Sequence, residues 1–321
     1  MLIKKILLCS FLAITSASSA QTVNDYPDKP IRVYVGFAPG GATDMLARHY
    51  SEQLSQAMGQ RFIVENRAGS GGNVAIQALS QAKPDGYTLA LGANYIAANA
   101  AFGRNKYDWK TELQPIALVS ATPNILMVPP KSPFNSPADI VAASKGSKSF
   151  LTYGSAGIGS SIHLAGELFQ AMTGTKLTHV PYKGATPAEL ALMSGEIDMM
   201  FGSPSNAVGL IQGGKLKALA ITGLEPIKAL SGIPTLDKTG LKGFNVGASY
   251  VLMAPAGVPT EVISRLSQAV AKINASPETI AFNDRIFATP MVGGPIQAKE
   301  FLEAEYQKWS KLVKENNLQI E

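Results

Sequence analysis

Two glycine-rich turns near the N-terminus constrain the fold of this chain more than any other feature. One spans 37–44 (FAPGGATD) after the apolar run Ile31–Val35, and the other spans 66–73 (NRAGSGGN) after the run 62–64. Each precedes a helical pattern, so each is predicted to connect the C-terminal end of a strand to a helix. There the backbone can approach a ligand closely, with free N–H groups and the positive end of the helix facing it. The turns favour a small carboxylate bound by main-chain donors, and without a following Lys-Ser or Lys-Thr neither is a P-loop.

The rest of the chain alternates predicted strands and helices. Ser136 before a proline predicts a helix start, and Thr186-Pro-Ala-Glu189 predicts a capping box for a helix that ends near Gly195. This alternation predicts an α/β protein with mostly parallel sheets. Helical patterns occupy 43–58, 73–82, 161–172, 260–274, 277–286 and 295–316, and extended runs occupy 87–91, 150–153, 177–180, 197–201, 216–221 and 250–254.

The length of the chain favours two lobes, because about 300 residues exceed one comfortable core. The extended, proline-rimmed segments 124–130 and 250–255 are predicted to cross between the lobes. Two separated crossings make the first lobe discontinuous, with 21–124 plus 247–321 in lobe 1 and 125–246 in lobe 2. A ligand is expected between the lobes, at the C-terminal ends of strands.

Residues 1–20 predict a secretory signal peptide. Lys4 and Lys5 precede an apolar stretch at 6–14, and the small residues 18–20 favour cleavage after Ala20. The single cysteine, Cys9, lies in this segment, so the mature chain relies on no disulfide. No later run is apolar and long enough for a membrane helix. These features predict a periplasmic protein.

Charge and residue chemistry exclude several functions. With 28 Lys and Arg against 23 Asp and Glu, and no basic-aromatic stripe, no nucleic-acid partner is expected. The histidines His49, His163 and His179 show no metal-ligand spacing, so neither a metal nor a cofactor is expected. No Gly-x-Ser-x-Gly elbow, clustered histidines or diagnostic carboxylate pair indicates an enzyme. A binding protein without catalytic residues is predicted.

A series of short motifs carries a resemblance to a known family. They are YPDKPI at 26–31, FAPGGATD at 37–44, ENR at 65–67, PDGYTL at 84–89, YGSAG at 153–157, HLAGELF at 163–169, HVPYKG at 179–184 and APAG at 254–257. In this order they resemble the Bug-type extracytoplasmic solute receptors, which include the substrate-binding subunits of tripartite tricarboxylate transporters. The resemblance covers essentially the whole chain after residue 20.

The resemblance implies a monomeric two-lobed periplasmic binding protein. It implies capture of a small di- or tricarboxylate between the lobes and delivery to membrane permease subunits. It also leaves open an amino acid or aromatic acid as ligand, and presentation of the ligand to a sensor. Many relatives carry an acidic or amide residue after Phe201, whereas Gly202 stands here and favours a carboxylate without an ammonium group. A Trp is often seen near Tyr250, so the pocket wall is expected to differ there.

The expected ligand-binding residues come from both lobes. The two glycine turns of lobe 1 hold one carboxylate, while the 154–161 stretch, which also caps a helix, and the loops near 183 and 202 hold the distal end. Asp44 is expected to be structural, because an acid in the first turn of a helix stabilises it and repels an anion. Phe37 either lines the pocket or packs in the core. The full set is Phe37, Ala38, Pro39, Gly40, Gly41, Ala42, Thr43, Gly69, Ser70, Gly71, Gly72, Ser155, Ala156, Gly157, Ser160, Ser161, Lys183, Gly184, Gly202 and Ser203.

Overall fold

A computed structural model describes residues 25–145, 150–316 and 318. The predicted signal peptide at 1–20 lies outside these residues. Within them, no helix combines the length and apolar character needed to cross a membrane. The elements in chain order are β1 Ile31–Val35, α1 Ala42–Met58, β2 Phe62–Asn66, α2 Asn73–Ser80, β3 Thr88–Ala93, α3 Tyr95–Ala101, β4 Leu113–Pro123, β5 Ile125–Val128, α4 Pro137–Ser144, β6 Thr152–Ser155, α5 Ser161–Thr173, β7 Thr178–Pro181, α6 Ala185–Ser194, β8 Met199–Gly202, α7 Pro204–Gln212, β9 Lys217–Ile221, β10 Gly247–Pro255, α8 Thr260–Asn274, α9 Pro277–Arg285, β11 Thr289–Pro290 and α10 Pro295–Asn316.

The strands form two sheets, and both are mixed. Sheet 1 has the order β11-β4-β10-β3-β1-β2, and sheet 2 has the order β7-β6-β8-β5-β9. In sheet 1, β1 is parallel to β2 and β3, and in sheet 2, β6 is parallel to β7 and β8. The prediction of mostly parallel sheets is wrong, because β10 and β5 pair antiparallel with both of their neighbours. The chain reaches β5 and β10 directly from the other sheet. Only strands that are joined by a crossover within one sheet, such as a helix, have to run parallel, so β5 and β10 are free to pair antiparallel.

Of the two helix starts at which the sequence predicts capping, one forms as predicted and one does not. Ser136 caps α4 in a capping box with Asp139, as the sequence predicts. The predicted capping box at the start of α6 is wrong, because Gly184 is the N-cap and no side chain caps the helix. Gly184 packs against Ala38 of the first glycine turn, where an added Cβ would lie 3.1 Å from the Ala38 methyl carbon. The helix therefore begins earlier than the capping motif indicates.

The chain passes between the sheets at two places that lie side by side. Asn124 joins β4 of sheet 1 to β5 of sheet 2, and residues 222–246 lead from β9 back to β10. Gly247 pairs with Pro123 at the start of the β4–β10 ladder. The buried Thr222 hydroxyl accepts from the Asn124 N–H at 2.7 Å and donates to the Val246 carbonyl at 2.5 Å. One side chain thus connects both passages.

The substitution Thr222→Val tests this connection. Valine keeps the shape but leaves a buried N–H and a carbonyl without partners, so we expect a loss of about 1–3 kcal/mol in the free energy of unfolding. Denaturant unfolding measures it. In the matched control Thr178→Val, on the exposed side of β7, the change should stay within about 0.5 kcal/mol. Equal effects of the two substitutions would contradict this role of Thr222.

Candidate anion-binding site

A narrow cavity lies between the two sheets, close to both passages. Its open space measures about 40 Å³. None of the side chains that line it is an acid, a base or a histidine. The lining residues are Phe37, Gly41, Ala42, Thr43, Ala93, Tyr95, Thr122, Asn124, Ala156, Ser160, Ser161, Ile162, Ala185, Ser203, Ala248 and Tyr250.

Four helices of at least eight residues point their N-termini at this cavity. The starts of α1, α6 and α7 have no side-chain cap, and only α5 is capped, by Ser160. The first turn of a helix has N–H groups without partners in the helix and carries a partial positive charge. Because α1 belongs to lobe 1 of the sequence prediction and the other three to lobe 2, the positive ends face one another across the cavity. The lining residues at these helix starts are Gly41, Ala42 and Thr43 for α1, Ser160, Ser161 and Ile162 for α5, Ala185 for α6 and Ser203 for α7.

Many of the residues predicted from the sequence do line this cavity. Phe37 has both of its predicted roles, since it lines the cavity and packs edge-on against Tyr95 with ring centroids 5.6 Å apart. The predicted residues on the cavity wall are Phe37, Gly41, Ala42, Thr43, Ala156, Ser160, Ser161 and Ser203.

Other predicted residues join the lobes instead of lining the cavity. The Ala38 N–H donates to the Lys183 carbonyl at 3.0 Å, so the first glycine turn meets the loop after β7 backbone to backbone. A Cβ on Gly71 would lie 2.0 Å from the Ile158 carbonyl oxygen, so the second turn also touches the opposite lobe. That these residues bind ligand stays a prediction. The predicted residues off the cavity wall are Ala38, Pro39, Gly40, Gly69, Ser70, Gly71, Gly72, Ser155, Gly157, Lys183, Gly184 and Gly202.

The second glycine turn also supports the cavity wall from behind. A Cβ on Gly72 would lie 2.6 Å from the hydroxyl oxygen of Tyr95, and a Cβ on Gly36 would lie 2.5 Å from the Gly72 Cα. Gly72 has φ +100°, which only glycine adopts readily. The absence of a side chain at this turn therefore sets the position of the Tyr95 ring.

Asp44 stabilises the first glycine turn, as expected. Its carboxylate accepts the Gly40 N–H at 3.1 Å, the Asn66 amide at 2.8 Å and a two-point ion pair from Arg48. Burial favours the neutral acid, but the bonds from Arg48, Asn66 and Gly40 outweigh it and lower the pKa of Asp44. Asp44 therefore fixes the turn while remaining charged.

The space beside Gly202 is filled by a residue of the neighbouring strand. A Cβ at this position would lie 2.2 Å from the Met127 methyl carbon and 3.7 Å from Oε1 of Glu189. The missing side chain at 202 thus leaves no opening, because the flexible Met127 side chain occupies the space.

A buried histidine network positions the loop before α5. Nδ1 of His163 accepts the Gly159 N–H at 3.0 Å, which places its ring proton on Nε2, 3.6 Å from Glu167. The Ser155 hydroxyl accepts the Gly157 N–H at 3.0 Å and lies 2.6 Å from Nε2 of His179. The two histidine rings stack with centroids 4.0 Å apart. Neutral rings therefore fix a loop that reaches the opposite lobe.

Burial keeps both rings neutral. It lowers the pKa of His163 to about 2, with smaller contributions from His179 and Arg104, and it lowers the pKa of His179 to about 4. Within the described residues no group of three or more His, Cys, Asp or Glu side chains could hold a metal ion.

Several lining residues are absent from the sequence prediction. Thr122 and Asn124 flank the first passage, and the hydroxyl of Tyr250 interacts with Thr43 and Thr122 through hydrogen bonds. The predicted crossing at 124–130 did include Asn124. The predicted crossing at 250–255 is wrong, because these residues lie within β10 of sheet 1 and the second passage is 222–246. Tyr95, whose buried hydroxyl has no hydrogen-bond partner, gave no signal in the sequence. The lining residues that the prediction missed are Ala93, Tyr95, Thr122, Asn124, Ile162, Ala185, Ala248 and Tyr250.

The chain matches the sequence profile of one family over residues 46–318, and that family is described as "Tripartite tricarboxylate transporter family receptor" (TctC). It is 33% identical over 318 residues to the "UPF0065 protein in tcbD-tcbE intergenic region" of Pseudomonas sp. (strain P51), covering 98% of this chain and 95% of that protein. It is 30% identical over 315 residues to BugT of Bordetella pertussis, covering 97% and 96%.

Solved structures share the fold. Rpa4515 of R. palustris with adipate is 32% identical, with a TM-score of 0.87 over 92% of this chain and 99% of that one. MatC from Rhodopseudomonas palustris with bound malate is 29% identical, with a TM-score of 0.84 over 90% and 100%. The periplasmic binding protein BugD is 29% identical, with a TM-score of 0.87 over 92% and 99%. These likenesses confirm the predicted two-lobed α/β fold.

The buried histidine predicts an acid-dependent loss of stability. The pKa of His163 is lower in the folded state than the unfolded value of about 6.5, so the unfolded state binds the proton more readily. The free energy of unfolding therefore decreases as the pH falls below about 6.5. Between pH 7.5 and pH 5.0 the native protein should lose about 2 kcal/mol more than His163→Gln, whose amide oxygen can still accept the Gly159 N–H. Denaturant unfolding at both pH values measures the difference. Equal losses in the two proteins would show that His163 is not held neutral.

Proposed function

The chain belongs to the tripartite tricarboxylate transporter receptor family, and we propose that it captures a small di- or tricarboxylate between its lobes for delivery to a membrane permease. The family is one of substrate-binding receptors rather than enzymes. One observation carries the proposal for the ligand: four helix N-termini from both lobes face a cavity that no charged side chain lines.

This arrangement suits a carboxylate for electrostatic reasons. Unpaired N–H groups and helix dipoles stabilise negative charge, and they do so most strongly in a narrow, water-poor cavity. A neutral sugar gains little from the dipoles, and an ammonium group is repelled by them. Adipate in Rpa4515 and malate in MatC support the same ligand class.

We propose that the carboxylate groups contact the helix starts of both lobes. Ala42 and Thr43 would donate to one end, and Ser161, Ile162 and Ser203 would surround the other. The lobe boundaries of the sequence, 21–124 plus 247–321 and 125–246, are part of this proposal. The assignment of β4 and β10 to sheet 1, and of β5 and β9 to sheet 2, supports them.

Capture would consist of closure without chemistry. A ligand that contacts both lobes binds the closed form more tightly, and this difference in affinity shifts the population toward closure. The backbone contacts of Ala38 with Lys183 and of Gly71 with Ile158 would then be features of the closed form.

A thermal-shift panel tests the ligand class. The protein is unfolded and refolded to remove bound ligand, then heated with malate, adipate, citrate, benzoate, aspartate, glutamine and glucose. A ligand at 100 times its Kd stabilises by about 2.7 kcal/mol. We expect the plain carboxylates to raise the melting temperature and the corresponding amides to leave it unchanged. A response to glutamine or glucose alone would reject the proposal.

Gly71→Ala tests closure. The added Cβ would meet the Ile158 carbonyl oxygen at 2.0 Å, so closure is blocked and the Kd of the panel's carboxylate should rise at least about tenfold. The matched control is Gly214→Ala, since Gly214 has a similar φ of +66° but nothing within 4 Å of an added Cβ. Both variants bear the same backbone strain, so an unchanged Kd in Gly71→Ala would contradict the closed geometry.

A further inference from the structure

The failed capping box leaves two polar side chains of α6 without their expected role. Neither Oγ1 of Thr186 nor Oε1 of Glu189 has a hydrogen-bond partner, although both atoms are buried. Glu189 as a whole is only 3% exposed. A buried carboxylate oxygen without a partner is costly when it is charged. Glu189 therefore needs an explanation other than helix capping.

One side chain connects Glu189 to the opposite lobe. The Asn206 amide nitrogen, on α7, donates to Oε2 of Glu189 at 3.1 Å and to the Gly40 carbonyl at 3.2 Å. Gly40 belongs to the first glycine turn, next to residues that line the cavity. We call Gly40, Glu189 and Asn206 the inter-lobe latch. Its acceptors come from both lobes, so the shared amide can satisfy both only when the lobes are together.

The surroundings of Glu189 contain little to stabilise its charge. Burial raises the pKa of its carboxyl to about 7, and the Asn206 hydrogen bond opposes that rise. Strand β8 and helix α7 have no titratable residue, and neither does the turn at 37–41. From β6, the Tyr153 hydroxyl donates to Glu167, and from α1, Asp44 pairs with Arg48. No cation among these neighbours offsets a negative Glu189.

We propose that the inter-lobe latch is a proton-binding site, and that the lobes close with uptake of one proton by Glu189. The proton comes from solvent and neutralises the Glu189 carboxyl group. Oε2 continues to accept the Asn206 amide, so the bridge to Gly40 is kept. The neutral acid can be buried at the seam at far lower cost than the anion.

The direction of the pH dependence follows. In this structure burial raises the pKa of Glu189 to about 7. On the proposed opening, Asn206 would leave Gly40, Glu189 would regain contact with water and its pKa would return toward 4.5. Closure is therefore favoured as the pH falls from about 7 toward 4.5. If water fully restores the open-form value, the closure constant rises by about eightfold between pH 7.5 and pH 6.0. A severalfold rise is expected, with eightfold as its ceiling.

This inference rests on the proposed capture function, so the first measurement needs no ligand. Gln56 of α1 and Lys176 after α5 are exposed, and neither lines the cavity. With Gln56→Cys and Lys176→Cys in the secreted chain, which lacks Cys9, spin labels report the distance between the lobes. The ratio of closed to open molecules in the ligand-free protein should rise severalfold from pH 7.5 to pH 6.0.

The second measurement is the Kd of malate at the same two pH values. In Glu189→Gln, which is neutral at both, the closed population should not change with pH. At each pH, the Kd of malate for Glu189→Gln is divided by the Kd for the native protein. This ratio cancels the titration of malate itself. Glu300→Gln, at an exposed position of α10, should behave as the native protein. Asn206→Ala, which removes the bridge to Gly40, should reduce the closed population at both pH values.

The outcomes separate the two proposals. If closure depends on pH in the native protein but not in Glu189→Gln, the latch stands even where malate and the other carboxylates fail to bind. If malate binds with the same pH dependence in both proteins and the lobe distance does not respond to pH, the latch is wrong and the capture function stands. Identical pH dependence of closure in both proteins likewise overturns the latch.

Discussion

Backbone contact between the lobes across glycine is the constraint on which the rest of the site depends. Gly71 approaches the Ile158 carbonyl, and Ala38 donates directly to the Lys183 carbonyl. Because no flexible side chain intervenes at these contacts, the facing helix starts are held at one separation. The cavity at this separation measures about 40 Å³. The glycines therefore help to set the size of the cavity between the lobes.

The electrostatic potential in the cavity is set by backbone groups and by side chains behind its wall, because no charged side chain lines it. Helix starts provide the positive potential, and the charged Asp44 fixes a turn rather than facing the cavity. In the other lobe, neutral His163 and His179 anchor the opposing loop through Gly159 and Ser155. Each lobe thus uses a buried titratable group to shape a glycine loop. The difference is that one group is kept charged by its partners and the other is kept neutral by burial.

The sequence predicts those parts of the structure whose signals are local. Apolar runs, glycine turns and the Ser136 cap located most elements, and the turn residues led to Phe37 and Thr43 on the cavity wall. Strands β4 and β5 and helices α3 and α7 were not separately identified, and the direction of β10 depends on a long-range return between sheets. Tyr95 packs against Phe37 and lies beside Gly72, which are long-range contacts that no periodicity reports. Thr186 and Glu189 matched a local motif that lobe contact at Gly184 overrides.

The Met127 methyl group beside Gly202 constrains which side chains can be introduced at that position. Any side chain introduced at 202 first collides with Met127, so the two positions are energetically coupled. A new acid or amide there requires the end of the flexible Met127 side chain to move aside. The effect of a substitution at 202 should therefore depend on which residue stands at 127, and a shorter residue at 127 should make a larger one at 202 easier to accommodate.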